Sequence, residues 1–172
     1  MPPVPLFNIE VSGGDQFRRL AVRMKQAGRT DLLRELRKEL RNAGRPTVND
    51  VQRAYRTLPD ISVAHRSGAQ ARATVAKAVR VELRSSATAA RVRVLVDAKR
   101  LPEDMRPLPK VWEAGRWRHP VFASGDQTRS QWRWVEQQSQ PAAVFRRTCT
   151  SHAPAFRAAV LRAMDQIRFR LS

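Results

Sequence analysis

The side chains of this sequence that could do chemistry are few and stand far apart. Cys149 is the only cysteine, and the three histidines are His65, His119 and His152. None of them has the spacing of an HxxxH or HExxH motif, and there is no cysteine pair for zinc. Cys149 together with a distant histidine could form a nucleophile. An inert, half-buried thiol near the start of a helix is the simpler interpretation.

The acidic residues make no stronger case for catalysis. The 15 Asp and Glu residues are scattered along the chain, and Glu103-Asp104 lies among prolines, which is typical of a solvated turn. The sequence has neither a GxxxxGK phosphate loop nor a dinucleotide fingerprint. We therefore expect no enzymatic activity, no cofactor and no metal site.

The charge balance points to an anionic partner. The 33 Lys and Arg residues exceed the 15 acidic ones and give a net charge of +18. Self-repulsion of this size disfavours an isolated compact monomer, and a partner such as nucleic acid relieves it. Only five of the basic residues are lysines, so the codon bias of a GC-rich genome also explains part of the excess. Both interpretations remain open.

The first third of the chain predicts helices. Residues 1–14 read as an extended arm, and the apolar positions from Phe17 to Leu40 have helical spacing. One bent helix or two abutting helices would fit, because Gly28 weakens the middle. We expect an ion-paired outer face around Glu35 and Glu39. Ala43-Gly44 should end this helix, and Pro46 should begin another.

Two runs of alternating residues predict a β-hairpin after a loop at 59–72. The first run begins at Val75, and the second spans Arg91 to Val96. The inward positions are Val79, Val81, Val92, Val94 and Val96. The opposite face would carry Arg80, Arg84, Arg91 and Arg93. These arginines could follow a DNA phosphate backbone without reading bases, or could simply keep an exposed face soluble.

The rest of the chain completes an α+β class. Residues 98–115 read as a long proline-rich loop, and the run from Trp117 to Phe122 as a third strand. A C-terminal amphipathic helix should begin at Ser151 or His152. We expect a single domain over 1–172: a small antiparallel sheet with long N-terminal helices and the C-terminal helix packed on it. No stretch has the length of a membrane span.

Three of the four tryptophans fall between positions 117 and 134. Aromatic and arginine side chains are enriched where protein interfaces are strongest. This window therefore predicts a partner interface. Its residues are Trp117, Arg118, His119, Phe122, Trp132 and Trp134.

Two motifs in this window carry a family resemblance. They are Arg118-His119-Pro120-Val121-Phe122 and the run from Trp134 to Pro141, WVEQQSQP. With the order of the other elements, they resemble the head–tail joining family of long-tailed bacteriophages, the neck or tail-completion proteins. That family usually has glycine after the first motif, where this chain has Ala123.

The resemblance implies a non-enzymatic protein that forms a homo-oligomeric ring in the virion neck. Its neighbours would be portal-side and tail-tube proteins, and double-stranded DNA would pass through the ring. Assembly would take place in the bacterial cytoplasm. The alternative is a cellular, sequence-independent nucleic-acid-binding protein.

Overall fold

The described part of the chain contains five α-helices and five strands. The computed structural model describes residues 8–10, 14–58, 68–85, 90–121, 133–138 and 143–171. In chain order the elements are β1 (Asn8–Glu10), α1 (Gly14–Gln26), α2 (Thr30–Arg56), α3 (Gly68–Lys77), β2 (Val79–Ser85), β3 (Ala90–Val96), α4 (Leu108–Ala114), β4 (Arg116–Val121), β5 (Arg133–Gln138) and α5 (Val144–Leu171).

The first two helices meet at a glycine. Gly28 has a φ of 69°, a left-handed conformation that glycine adopts without steric cost. The chain therefore turns between α1 and α2, and the expectation of two abutting helices is confirmed over that of one bent helix. Phe17, Leu20 and Met24 of α1 are buried.

Helix α2 continues through the glycine and proline that were expected to interrupt it. Gly44 is buried, and a Cβ added there would lie 2.4 Å from Val81 of β2 and 3.3 Å from Phe156 of α5. The prediction of a helix end at Ala43-Gly44 is wrong because the glycine allows three elements to approach closely. Pro46 lies inside the helix, where tertiary packing outweighs its low helix propensity.

The first sheet is antiparallel with strand order β1-β3-β2. Its central register pairs Val79 with Val96 and Val81 with Val94. The hairpin is confirmed with its valines inward: four are buried and Val81 is partly buried. β1 adds the N-terminal arm to the sheet by pairing Ile9 with Val94.

Residues 59–67 of the predicted loop at 59–72 lie outside the described residues, but its end and the predicted strand from Val75 need correction. Residues 68–77 form α3, which buries Ala71, Val75 and Ala76. The strand begins at Val79. Alternating alanine and valine fit a short helix as well as a strand, and the packing of α3 against α2 decides between them.

The predicted long loop at 98–115 is also wrong. It contains two 3-10 turns, Ala98–Arg100 and Glu103–Met105, followed by α4. Leu101, Met105 and Trp112 are buried, so this proline-rich segment is folded onto the core. The chain leaves α4 through Gly115, whose φ is 71°.

The last helix is longer than expected. α5 begins at Val144, about two turns before Ser151, and continues through Pro154. Its apolar side packs chiefly against α2, and Phe156, Val160 and Ile167 are buried. The α+β class is confirmed. None of the described helices is long and apolar enough to cross a membrane.

Candidate partner-facing surfaces

The second sheet is a two-stranded ribbon formed by β4 and β5. Trp117, Arg118 and His119 lie on β4, as the predicted third strand requires, and Trp134 lies on β5. The antiparallel register pairs Trp117 with Gln137, His119 with Val135, and Pro120 with Trp134. Phe122 and Trp132, the other two predicted interface residues, lie outside the described residues.

The register separates the two tryptophan positions of this ribbon. Directly paired residues share a face, and successive residues alternate between faces. Trp117 therefore shares a face with His119 and Val135, whereas Trp134 shares the opposite face with Arg118. By register, the two described tryptophan positions lie on opposite faces of the ribbon.

Glu113 closes the base of the ribbon. Its backbone carbonyl accepts a hydrogen bond from the Ala143 N–H at 3.0 Å. Its carboxylate Oε2 accepts from the backbone N–H of Phe145 at 3.0 Å, and Oε1 lies 3.4 Å from Nε of Arg146. The end of α4 and the start of α5 are thus held together. The strands of the ribbon, β4 and β5, lie in sequence between these two joined ends.

The carboxylate replaces a missing local cap on α5. Ala143, which precedes the helix, has no capping side chain and has a φ of 58°, an uncommon value for a residue with a Cβ. The first N–H groups of a helix need acceptors. Glu113 supplies one from 32 residues away, and its negative charge also complements the positive end of the helix dipole.

A cluster of buried side chains, Tyr55, Trp112 and Cys149, lies next to this junction. The rings of Tyr55 and Trp112 lie 5.7 Å apart between centroids, and Cys149 is buried beside them. Burial, with a contribution from Glu113, raises the pKa of the Cys149 thiol to about 12. Burial also raises the pKa of Tyr55, with contributions from Glu113 and Cys149. The thiol is therefore protonated at neutral pH.

The remaining chemistry-bearing side chains are dispersed. His152 Nε2 lies 2.9 Å from the Asp50 carboxylate, His119 lies in the ribbon, and His65 lies outside the described residues. Within the described ranges, no three His, Cys, Asp or Glu residues are grouped so as to hold a metal ion.

Two of the four arginines of the first hairpin, Arg80 and Arg93, already form ion pairs. Arg93 is only 4% exposed, and its guanidinium forms an ion pair with Glu82 on the neighbouring strand. Arg80 Nη2 lies 2.9 Å from Asp97 Oδ2. Arg84 and Arg91 lie opposite each other in the strand register, near the turn end of the hairpin. The expectation of a DNA-facing position is therefore wrong for Arg93, and the charge of Arg80 is already compensated.

The outer face of α2 differs from the ion-paired face expected from the sequence. Glu35 forms its ion pair with Arg170 of α5, and Glu39 accepts a hydrogen bond from Asn42 at 3.5 Å. Between positions 34 and 45, four exposed basic residues lie on one side of the helix, and we call them the cationic stripe. They are Arg34, Lys38, Arg41 and Arg45. Their i, i+4, i+7, i+11 spacing is visible in the sequence, but the remote partner of Glu35 is not.

No known protein family matches this chain, and no curated protein or solved structure matches it either. The fold and its surfaces define an α+β protein with a strand ribbon tied at its base and a basic helical face.

Proposed function

We propose that this chain is a structural virion protein of the neck of a tailed bacteriophage. In this role it forms a ring that joins the DNA-filled head to the tail. The observation that carries the proposal is the pairing of the two resemblance motifs. Arg118 of the first motif is registered with Glu136 of the second, and Pro120 with Trp134. Two short motifs separated in sequence thus belong to one structural unit, which supports a common purpose for them.

The geometry of the ribbon suits contact with neighbouring proteins. Within the described residues, β4 and β5 pair with each other and otherwise contact mainly α4. An isolated two-stranded ribbon is marginally stable in water, so packing against a partner would stabilise it. A ring needs two different surfaces that meet head to tail. The two faces of the ribbon, one with Trp117 and one with Trp134, meet that requirement.

The charge supports a location beside DNA. A net charge of +18 is tolerated most easily where phosphates compensate it. In the proposed role the chain is assembled in the bacterial cytoplasm and resides in the virion. Its neighbours there are portal-side and tail-tube proteins, and double-stranded DNA crosses the ring.

The cationic stripe also favours a second candidate, a cellular protein that coats nucleic acid without sequence preference. The two functions differ in stoichiometry. A neck protein is present as a fixed number of copies in each particle, whereas a coating protein binds as many copies as the length of nucleic acid allows. Mass measurement of purified particles and of protein–DNA complexes distinguishes these cases.

The decisive test is genetic. An early stop codon in the gene should produce DNA-filled heads and separate tails that are not stably joined, and supplying the protein in trans should restore plaques. Electron microscopy of the lysate provides the measurement. Normal joined particles would contradict the neck function, and empty heads would place the protein earlier, in packaging or capsid assembly.

Point variants then test the ribbon. Complementation with Trp117→Ala or Trp134→Ala should leave heads and tails separate while the protein still folds. Phe169→Ala is the matched control, because Phe169 is an aromatic residue on α5 with 84% of its surface exposed. If both tryptophan variants join particles as well as this control does, the ribbon is not the interface.

A further inference from the structure

The cationic stripe of α2 is an ordered surface rather than a scatter of charges. At 100° per residue its four members lie within a sector of about 60° around the helix. At a rise of 1.5 Å per residue they cover about 16 Å along the axis. All four side chains are exposed. The stripe is therefore a straight, narrow row of positive charge.

The acidic residues of α2 compensate none of these four charges. Asp31 pairs with Arg29 at 3.2 Å, and Asp50 pairs with Arg53 at 2.9 Å. Glu35 binds Arg170, and Glu39 accepts from Asn42. Within the described part of the chain, no ion pair reaches any member of the stripe. Every carboxylate of this helix is engaged with another residue.

Repulsion within this row of positive charge destabilises helix α2 in the free protein. Like charges three and four positions apart on a helix repel each other. Arg41 has such a neighbour on both sides, in Lys38 and Arg45. An anionic partner removes this repulsion, and polymers of phosphate supply negative charge at regular intervals along a line.

We infer that the cationic stripe binds the phosphodiester backbone of duplex DNA without reading its sequence. Arginine and lysine donate hydrogen bonds to phosphate oxygens, and four such contacts fix the protein on the duplex but carry no base information. Asn49, exposed beside the stripe, adds a neutral donor. The site lies on α2 and not on the hairpin, where Arg93 is buried and Arg80 is paired.

The choice of DNA over RNA rests on the proposed function, but the phosphate-binding role of the stripe does not. The neck function can therefore fail while the stripe still binds a duplex. Equally, a chain that joins heads to tails but has no stripe-dependent DNA affinity overturns this inference alone.

The test compares two variants of equal net charge. The stripe variant carries Arg34→Gln, Lys38→Gln, Arg41→Gln and Arg45→Gln. The control variant carries Arg18→Gln, Arg53→Gln, Arg100→Gln and Arg168→Gln. Each control arginine has an aspartate partner three residues away. Circular dichroism melts establish that both variants fold.

Fluorescence anisotropy with a mixed-sequence 30-base-pair DNA duplex then gives the affinity between 50 and 200 mM salt. Four phosphate contacts contribute a slope of about −3.6 to log K against log salt, which is about a 150-fold loss of affinity over this range. The stripe variant should lose most of that slope, and the control variant should keep it. A second duplex of unrelated sequence should bind with the same affinity.

Three results would overturn the phosphate-binding role of the stripe. One is an equal change of slope in both variants, which would show that only net charge matters. Another is the absence of wild-type binding at 50 mM salt. The third is poly-glutamate binding as tight as DNA binding, which would assign the stripe to acidic proteins. A duplex RNA that binds at least tenfold more tightly than DNA would refute the choice of DNA.

Discussion

The carboxylate of Glu113 accepts a hydrogen bond from the backbone N–H of Phe145, so α4 caps the first turn of α5. This contact joins the two segments from which the ribbon leaves and to which it returns. Glu113 is also buried, and a buried polar group that loses its partner is costly. The junction at the base of the ribbon therefore depends on this side chain as well as on the backbone hydrogen bond between Ala143 and Glu113.

Replacing Glu113 should destabilise the protein, and the loss should be larger when the new side chain has no hydrogen-bond acceptor. Glu113→Ala removes the cap and should lower the free energy of unfolding by about 2 kcal/mol. Glu113→Gln keeps an acceptor oxygen and should cost roughly half as much. Urea unfolding followed by circular dichroism measures both. Glu103→Ala, an exposed acidic residue in the preceding turn, is the control, and an equal loss there would contradict the capping role.

Gly44→Ala should destabilise the protein even though alanine favours helices. Alanine gains about 1 kcal/mol over glycine in a helix interior, but its Cβ would lie 2.4 Å from Val81, and overpacking costs about 1–3 kcal/mol. We expect Gly44→Ala to lower the melting temperature. Adding Val81→Ala makes room for the new Cβ and should raise the melting temperature part of the way back.

Gly28→Ala is the contrasting case for this experiment. A Cβ at Gly28 meets nothing within 4 Å, but φ there is 69°. Its cost comes from backbone strain, about 1–2 kcal/mol, and Val81→Ala should not relieve it. Equal rescue of both glycine variants would refute the steric explanation at Gly44.

Removing Glu82 should be far more harmful than removing a surface acid. Glu82→Ala leaves the Arg93 charge buried, and breaking such a pair costs about 3 kcal/mol or more. The exposed pair of Asp165 with Arg168 is the control, since Asp165→Ala should cost less than about 1 kcal/mol. Replacing Glu82 and Arg93 together with methionine should recover most of the stability. A double variant as unstable as Glu82→Ala would contradict the ion-pair account.

The protein should lose stability in alkaline solution through the Tyr55–Cys149 cluster. The folded pKa of Cys149, about 12, lies above the ordinary thiol pKa of 9.0, so the unfolded chain releases this proton first. Stability is then complete below about pH 9 and falls as the pH rises toward 12, on the order of 1 kcal/mol per pH unit. Cys149→Ala should flatten this dependence. Melting temperatures from pH 7 to 11, measured in reducing buffer, test it, and an unchanged slope would contradict it.

The local alternation of residues was sufficient to predict the first hairpin. Val79, Val81, Val92 and Val94 recur at every second position and each is followed by a polar or apolar residue of the other face, which is the period-2 pattern of a strand. The same reasoning could not reveal the continuity of α2 at Gly44, because the cause is the approach of Val81 and Phe156. Glycine in a helical pattern usually indicates weakness or an end, whereas here it provides space for tertiary contact.

Long-range ion pairs explain why the functional surfaces were harder to predict. The hairpin arginines form a plausible phosphate-facing row in sequence, but Asp97 and Glu82 compensate two of them. From the sequence, Glu35 and Glu39 are expected to pair with the basic residues beside them. In the structure Glu35 instead forms an ion pair with Arg170 at the end of α5. Composition predicts an excess of positive charge, but only the folded chain shows where that charge remains uncompensated.

The burial of Cys149 makes the sole thiol of the chain a built-in reporter of motion at the base of the ribbon. A thiol reagent can react only when the packing around Cys149 opens, so its rate of modification measures how often this buried cluster opens. The variants of Glu113 should be modified faster than the wild type. A neighbour that clamps the ribbon should slow the reaction, and chemical labelling would then record docking without any added probe.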